Sequence, residues 1–154
     1  MQELGGTRHK MENNLYNLLK NTIDFHDKRD LSVYSALNLA YMGDAVFEIL
    51  VRTRVLSQAK TSVKNLHLSS KDMVKASSQS NMYNDLLEHL TEEEVAIIKR
   101  GRNAKSYSKA KNASMADYKR ATGLEALFGY LYLKSDIKRI LELFKICMKE
   151  ELNQ

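Results

Sequence analysis

Proline is missing from this 154-residue chain, and glycine occurs only six times. That scarcity argues against a turn-rich β fold and favours long uninterrupted helices. One cysteine, Cys147, excludes an internal disulfide. It lies in an apolar helical pattern, which reads as core rather than nucleophile and fits a reducing cytoplasm. No apolar run approaches the roughly 20 residues that span a bilayer, and the N-terminal residues contain no signal-peptide-like apolar stretch, so a cytoplasmic protein is expected. What is present suffices for a core: 44% of residues are hydrophobic, which excludes a disordered chain, and the length suits one domain. With no internal repeat and no hairpin signal, the expected architecture is an all-α single domain.

The formal net charge of +5 is unevenly spread. Between Lys99 and Arg120 stand eight basic residues (Lys99, Arg100, Arg102, Lys105, Lys109, Lys111, Lys119 and Arg120) against Asp117 alone, so this segment carries +7 and the remainder −2. A localised basic segment on a nearly neutral body reads as a polyanion contact. The plainer alternative is a solvated loop with incidental charge.

Two stretches carry acids inside apolar helical patterns. In LNLAYMGDAVFEILVR (Leu37 to Arg52), Leu37, Tyr41, Asp44, Glu48 and Val51 fall on one helical line. A carboxylate there is costly if desolvated without a partner. A divalent cation is one compensation; a Lys or Arg partner, or water at the helix edge, are the others. In YKRATGLEALFGYLYL (Tyr118 to Leu133), Tyr118, Ala121, Glu125, Phe128 and Tyr132 stack in the same way. Small residues flank both acids, Ala40 and Gly43 near the first, Gly123 and Ala126 near the second. Close helix packing at those residues would bring Asp44 and Glu125 to one site, and would offset the helix-propensity cost of glycine.

Along the chain, Met1 to Lys10 reads as a flexible tail, and Asn13 to Asp27 as an amphipathic helix packed on the domain. The first core helix is expected from about Ser32 to Leu56, and a capped turn or short helix from Thr61 to Leu68. One helix is expected over Ser69 to Leu90. In it Lys71 and Lys75, one turn apart, share a face that suits a phosphate backbone or simply a wet surface. Thr91 with Glu94 forms a capping-box pattern, and that helix should run to about Arg100, where Gly101 stops it. Asn103 to Ser114 reads as a mobile basic loop, and Asp136 to Leu152 as a last amphipathic helix. None of the four histidines, His67 and His89 among them, stands in a metal or nucleophile pattern.

YMGDAVFE (Tyr41 to Glu48) together with LEALFGYLYL (Leu124 to Leu133) resembles the catalytic domain of the ribonuclease III family, over roughly Ser35 to Glu150. With GRNAKS (Gly101 to Ser106), the likeness extends to the short bacterial Mini-III branch of that family, which has no separate double-stranded-RNA-binding domain. The resemblance implies a helical endonuclease domain over residues 31–154, with residues 1–30 as tail and accessory helix. It implies hydrolysis of double-stranded RNA to 5′-phosphate and 3′-hydroxyl ends, and processing of precursor large-subunit ribosomal RNA. Asp44 and Glu125 would be the catalytic acids and the ligands of Mg²⁺, for which Mn²⁺ can substitute. A homodimer is implied, with the first motif helix at the subunit interface. Because the sequence leaves no room for a separate RNA-binding domain, the basic segment would grip the substrate. Arg102, Asn103 and Lys105 are the main candidate backbone contacts, then Lys99 and Lys109, with Lys71 and Lys75 besides. Recognition of an A-form duplex would be by shape and phosphate.

Longer members of the family carry further carboxylates four residues before the Asp and three before the Glu. Here those positions hold Ala40 and Thr122, as in the short branch, which leaves the number of metal ions open. Glu48 is a further candidate ligand, with an ion-pair or dimer-interface role as the plainer reading. The competing function is a non-catalytic RNA-binding ribosome-assembly protein on the same fold. A helical protein-interaction module is the third reading, and it leaves the basic segment unexplained.

Overall fold

The computed structural model describes residues 15–22, 30–58, 60–105 and 113–149, and the described residues are helical, without strands. The helices are α1 (Leu15–Thr22), α2 (Ala36–Gln58), α3 (Val63–Val74), α4 (Ala76–Leu86), α5 (Glu92–Asn103), α6 (Met115–Leu133) and α7 (Ile137–Cys147), with short 3-10 turns at Leu31–Val33 and Leu87–His89.

Helix α6 is the axis of the domain. Ala121 to Leu124 and Ala126 to Leu131 are all buried, as expected of a helix apolar on every side. Helices α2, α4, α5 and α7 surround it. Phe47 of α2 meets Phe128 of α6 edge to face at 5.5 Å and Phe144 of α7 at 5.9 Å, which ties three helices into one core. Cys147 is buried in that core, and its burial pushes the thiol far up from its ordinary value, so it is packing rather than a nucleophile.

Glycines set how near the helices come. A Cβ on Gly43 of α2 would collide with the Glu125 carbonyl oxygen and lie 2.8 Å from the Gly129 nitrogen. One on Gly129 would collide with the Leu39 carbonyl oxygen. On another side of α6, a Cβ on Gly101 would lie 2.7 Å from the Gly123 Cα and 2.8 Å from the Ala126 Cβ. The close approach of α2 and α6 is therefore made by Gly43 with Gly129, whereas Gly123 and Ala126 face α5. Gly101 does not stop its helix: α5 continues to Asn103, and the glycine is spent on packing.

The capping box forms as its residues dictate, with Thr91 Oγ1 accepting from the Glu94 nitrogen and Glu94 Oε1 from the Thr91 nitrogen. Glu94 is also 5% exposed and takes a two-pronged bond from Arg139 of α7, at 2.8 and 2.9 Å. Arg139 Nη2 further donates to the His89 carbonyl at 2.7 Å. This guanidinium clips α7 onto the turn before α5.

The helix expected over Ser69 to Leu90 is broken. Lys75 adopts an extended ψ of 152° between α3 and α4, and Ser78 Oγ bridges the break by donating to the Asp72 carbonyl at 2.8 Å. Restarting at Ala76 lets Gln79 and Ser80 be buried while Lys71 and Lys75 stay exposed. Leu15, Leu18 and Leu19 of α1 remain exposed, so that helix does not bury its leucine face on the body as its pattern suggested. A 3.5 Å bond from Ser135 Oγ to Asn17 Oδ1 joins it to the turn after α6. The tail Met1 to Lys10 and most of the basic loop, including Lys109 and Lys111, lie outside the described residues.

Candidate active site

Asp44 directly follows the glycine that packs on the Glu125 carbonyl, so the two acids are neighbours because α2 and α6 touch there. Their surroundings differ. The line through Leu37, Tyr41 and Asp44 is exposed, and it is Leu39, Ala40, Gly43, Val46, Phe47 and Val51 that α2 buries. Asp44 therefore stands at the open edge of its helix rather than on a buried line. Glu125 is largely covered.

Burial pushes the Glu125 carboxyl up to about 8, and the charge on Asp44 pushes the same way. Asp44 is also raised, first by desolvation and then by Glu48. Asp44 is the more exposed of the two, and its charge opposes ionisation of Glu125. Among the described residues neither acid has a Lys or Arg partner. Glu48, by contrast, is held by Arg52 Nε at 2.7 Å, which makes it an ion-pair residue.

Two hard oxygen donors of like charge, close together and lacking a basic partner, fit a divalent cation, whose charge would let both ionise together. The set is thin: no group of three His, Cys, Asp or Glu side chains converges among the described residues. Ala40 is buried and has no ligating group, and Thr122 Oγ1 is turned to the Tyr118 carbonyl at 2.9 Å. Other positions around an ion at this pair would fall to water and substrate oxygens.

One neighbour of the pair was not legible in the sequence. Gln79 of α4 is 2% exposed, and its amide lies close enough to Glu125 to favour the charged carboxylate. Its only advance signal was a glutamine in a Ser-rich stretch, and its burial follows from the helix break at Lys75.

The basic residues sort into tethered and free. Arg102 is half-buried, with Nη1 donating to the Tyr83 hydroxyl at 3.2 Å and Nε to Asn103 Oδ1 at 3.3 Å. Arg100 donates to the Tyr34 carbonyl at 2.5 Å and Arg120 to Ser80 Oγ at 3.4 Å. Lys75 pairs with Asp72 at 2.7 Å, whereas Lys71 and Lys99 are exposed. Asn103 and Lys105 line an open cleft between the end of α5 and the start of α6, together with Met115, Tyr118 and Lys119. Tyr118 precedes Glu125 by seven residues on the same helical face, about 10 Å along the axis. Lys119, not singled out from the sequence, shares this cleft.

Residues 37–136 match the Ribonuclease III domain family. Similar curated proteins named Mini-ribonuclease 3 include one from Clostridium tetani, 45% identical over 130 residues that cover 82% of this chain and 86% of the relative. Another, from Enterococcus faecalis, is 43% identical over 79% of this chain and 94% of its own length. A third, from Staphylococcus aureus, is 40% identical over 77% and 90% respectively. A crystal structure of a Fusobacterium nucleatum protein superposes with a TM-score of 0.70 at 35% identity, covering 80% of this chain and 98% of that one.

Proposed function

Since the chain belongs to the ribonuclease III family and is an endoribonuclease of double-stranded RNA, we propose that Asp44 and Glu125 are its catalytic acids and hold Mg²⁺, with Mn²⁺ able to substitute. The observation that carries this reading is the pair of carboxylates on two touching helices, raised in proton affinity and without a basic partner among the described residues. The chemistry a divalent ion supplies at such a pair is charge neutralisation at the scissile phosphate and acidification of the attacking water. Asp44, at the open helix edge, is the acid the substrate meets. Glu125, behind it, has a raised proton affinity, and a cation held by the two acids would favour its ionised form. Lys105, Asn103 and Lys119 hold the backbone across the cleft two turns from Glu125, with Lys99, Lys71 and Lys75 as outer contacts and Lys109 on the adjoining segment. Arg102 acts from its tether to Tyr83, orienting Asn103 as much as meeting phosphate.

The substrate we propose is precursor large-subunit ribosomal RNA in the cytoplasm, cut to leave 5′-phosphate ends by a homodimer. Support for the dimer is the apolar line left open along α2, where Tyr41 is 82%, Ile49 57% and Leu56 66% exposed. Sedimentation equilibrium checks this, and a monomer at micromolar concentration counts against it. No described helix is long and apolar enough to cross a membrane.

The test of function is cleavage of a labelled duplex by the wild type, Asp44→Asn and Glu125→Gln, with binding measured in Ca²⁺. Cutting by the wild type in Mg²⁺ alone, with both variants binding but not cutting, is the expected result. Tight binding with no cutting of any duplex, precursor ribosomal RNA included, would overturn it in favour of the assembly-protein reading.

A further inference from the structure

Gln79 is a long polar side chain at 2% exposure, and its Nε2 is buried without a hydrogen bond of normal geometry among the described residues. An orphaned buried donor is destabilising, and a packed apolar side chain of the same length would not be. The backbone has gone to some length to put it there. Lys75 breaks the helix, Ser78 bridges the break, and Ser80, the next residue along, is pinned to α6 through Arg120 at 3.4 Å. The result is an amide beside Glu125, carried by α4, which packs on α6 as α2 does.

We propose that Gln79 is a positioning residue for Glu125: in the loaded site its Nε2 donates to one carboxylate oxygen, leaving the other to face the cation. This rests on the reading of Asp44 and Glu125 as cation ligands. A carboxylate turns about its last side-chain bond unless one oxygen is held, and a thin ligand set gains more than a full one from having its geometry fixed. Partners of ligating groups typically change metal affinity by about 10–100-fold. The donor that is unsatisfied in the free protein is thus satisfied in the loaded one.

The test compares Gln79→Met, which keeps the length and apolar volume but has no donor, with Gln79→Asn, which keeps the amide one methylene short. Mn²⁺ binding to the full chain without RNA is read by electron paramagnetic resonance, and melting temperature is measured in chelator. Affinity should fall in the order wild type, Gln79→Asn, Gln79→Met, the last weaker by about tenfold or more. Stability should run differently, with Gln79→Met at least equal to the wild type and Gln79→Asn lowest. If affinity instead follows stability, or Gln79→Met binds Mn²⁺ as the wild type does, Gln79 is a packing residue and the proposal is wrong. Asp44→Asn separates the two levels. Loss of Mn²⁺ binding in Asp44→Asn with Gln79→Met unaffected overturns the role of Gln79 alone. A wild type that binds no Mn²⁺, or an Asp44→Asn variant that binds it equally well, overturns the cation site and this inference with it.

Discussion

Replacing Gly43 by alanine adds one methyl where α2 meets α6. That carbon would collide with the Glu125 carbonyl oxygen, lie 2.5 Å from the carbonyl carbon and 2.8 Å from the Gly129 nitrogen. All three are backbone atoms of a buried helix and cannot swing aside. Bringing the carbonyl carbon alone to an ordinary contact of about 3.4 Å requires the helices to part by about 1 Å. Overpacking of a core costs about 1–3 kcal/mol, and a backbone-on-backbone clash belongs at the upper end. Alanine returns about 1 kcal/mol of helix propensity, so the net loss is about 2 kcal/mol. For a chain of this size that lowers the melting temperature by about 4–8 °C. The activity consequence is larger, because Asp44 and Glu125 separate with their helices, and a misplacement of about 1 Å can cost about 100-fold in rate. Calorimetry and single-turnover cleavage, both well below the transition, measure the two effects. Gly101→Ala is the graded comparison: its Cβ would meet a Cα at 2.7 Å and the Ala126 methyl at 2.8 Å, where α6 packs on α5 rather than on α2. It should lose stability with a much smaller loss of rate. A Gly43→Ala protein with wild-type melting and wild-type cleavage would show that Gly43 does not set the spacing of α2 and α6.

Glu125 makes the metal-free protein sensitive to pH. Between the ordinary glutamate value of 4.5 and about 8, the unfolded chain has released this proton and the folded chain has kept it, so stability from this group falls as pH rises. Glu125→Gln should flatten that slope and melt higher than the wild type in chelator at pH 8; an unchanged slope would show that Glu125 ionises normally. Arg139→Met leaves Glu94 buried without its partner. Allowing for the partial exposure of Arg139, the loss should be about 2 kcal/mol or more by denaturant titration, with single-turnover cleavage unchanged below the transition. Lys105→Ala and Lys119→Ala should each reduce the slope of log affinity for duplex RNA against log salt by about one, read by fluorescence anisotropy. An unchanged slope would remove that residue from the backbone contact.

The helical architecture was legible because the sequence is consistent at that level: no proline, two long apolar stretches, and a capping box at Thr91 that forms as written. The acid pair was legible for a related reason, since a carboxylate in an apolar helix must be explained by something beyond packing. Periodicity could not say which face of α2 would be buried. Its line through Leu37, Tyr41 and Asp44 turned out exposed, because α2 is apolar on more than one side and its contact face is chosen by where Gly43 can meet Gly129. The break at Lys75 was hidden too. Lysine has no turn signature, and the extended residue is held by tertiary packing of Gln79 and Ser80 and by the Ser78 bridge to Asp72. Gln79 was missed with it, because a residue's burial cannot be read when its helix register is wrong. The roles of the basic residues were equally beyond composition. Arg100 and Arg120 count toward the +7 segment, yet both are tied to the protein itself.

We propose that Asp44 and Glu125 act together on one cation rather than as two separate contributors. The direct test is single-turnover cleavage of one RNA duplex in Mg²⁺ by Asp44→Asn, Glu125→Gln and the double variant. Groups that act as a unit are strongly non-additive, so each single substitution should lose nearly as much rate as the pair. Losses that multiply in the double variant, or a single variant that keeps near wild-type rate, would contradict the shared site.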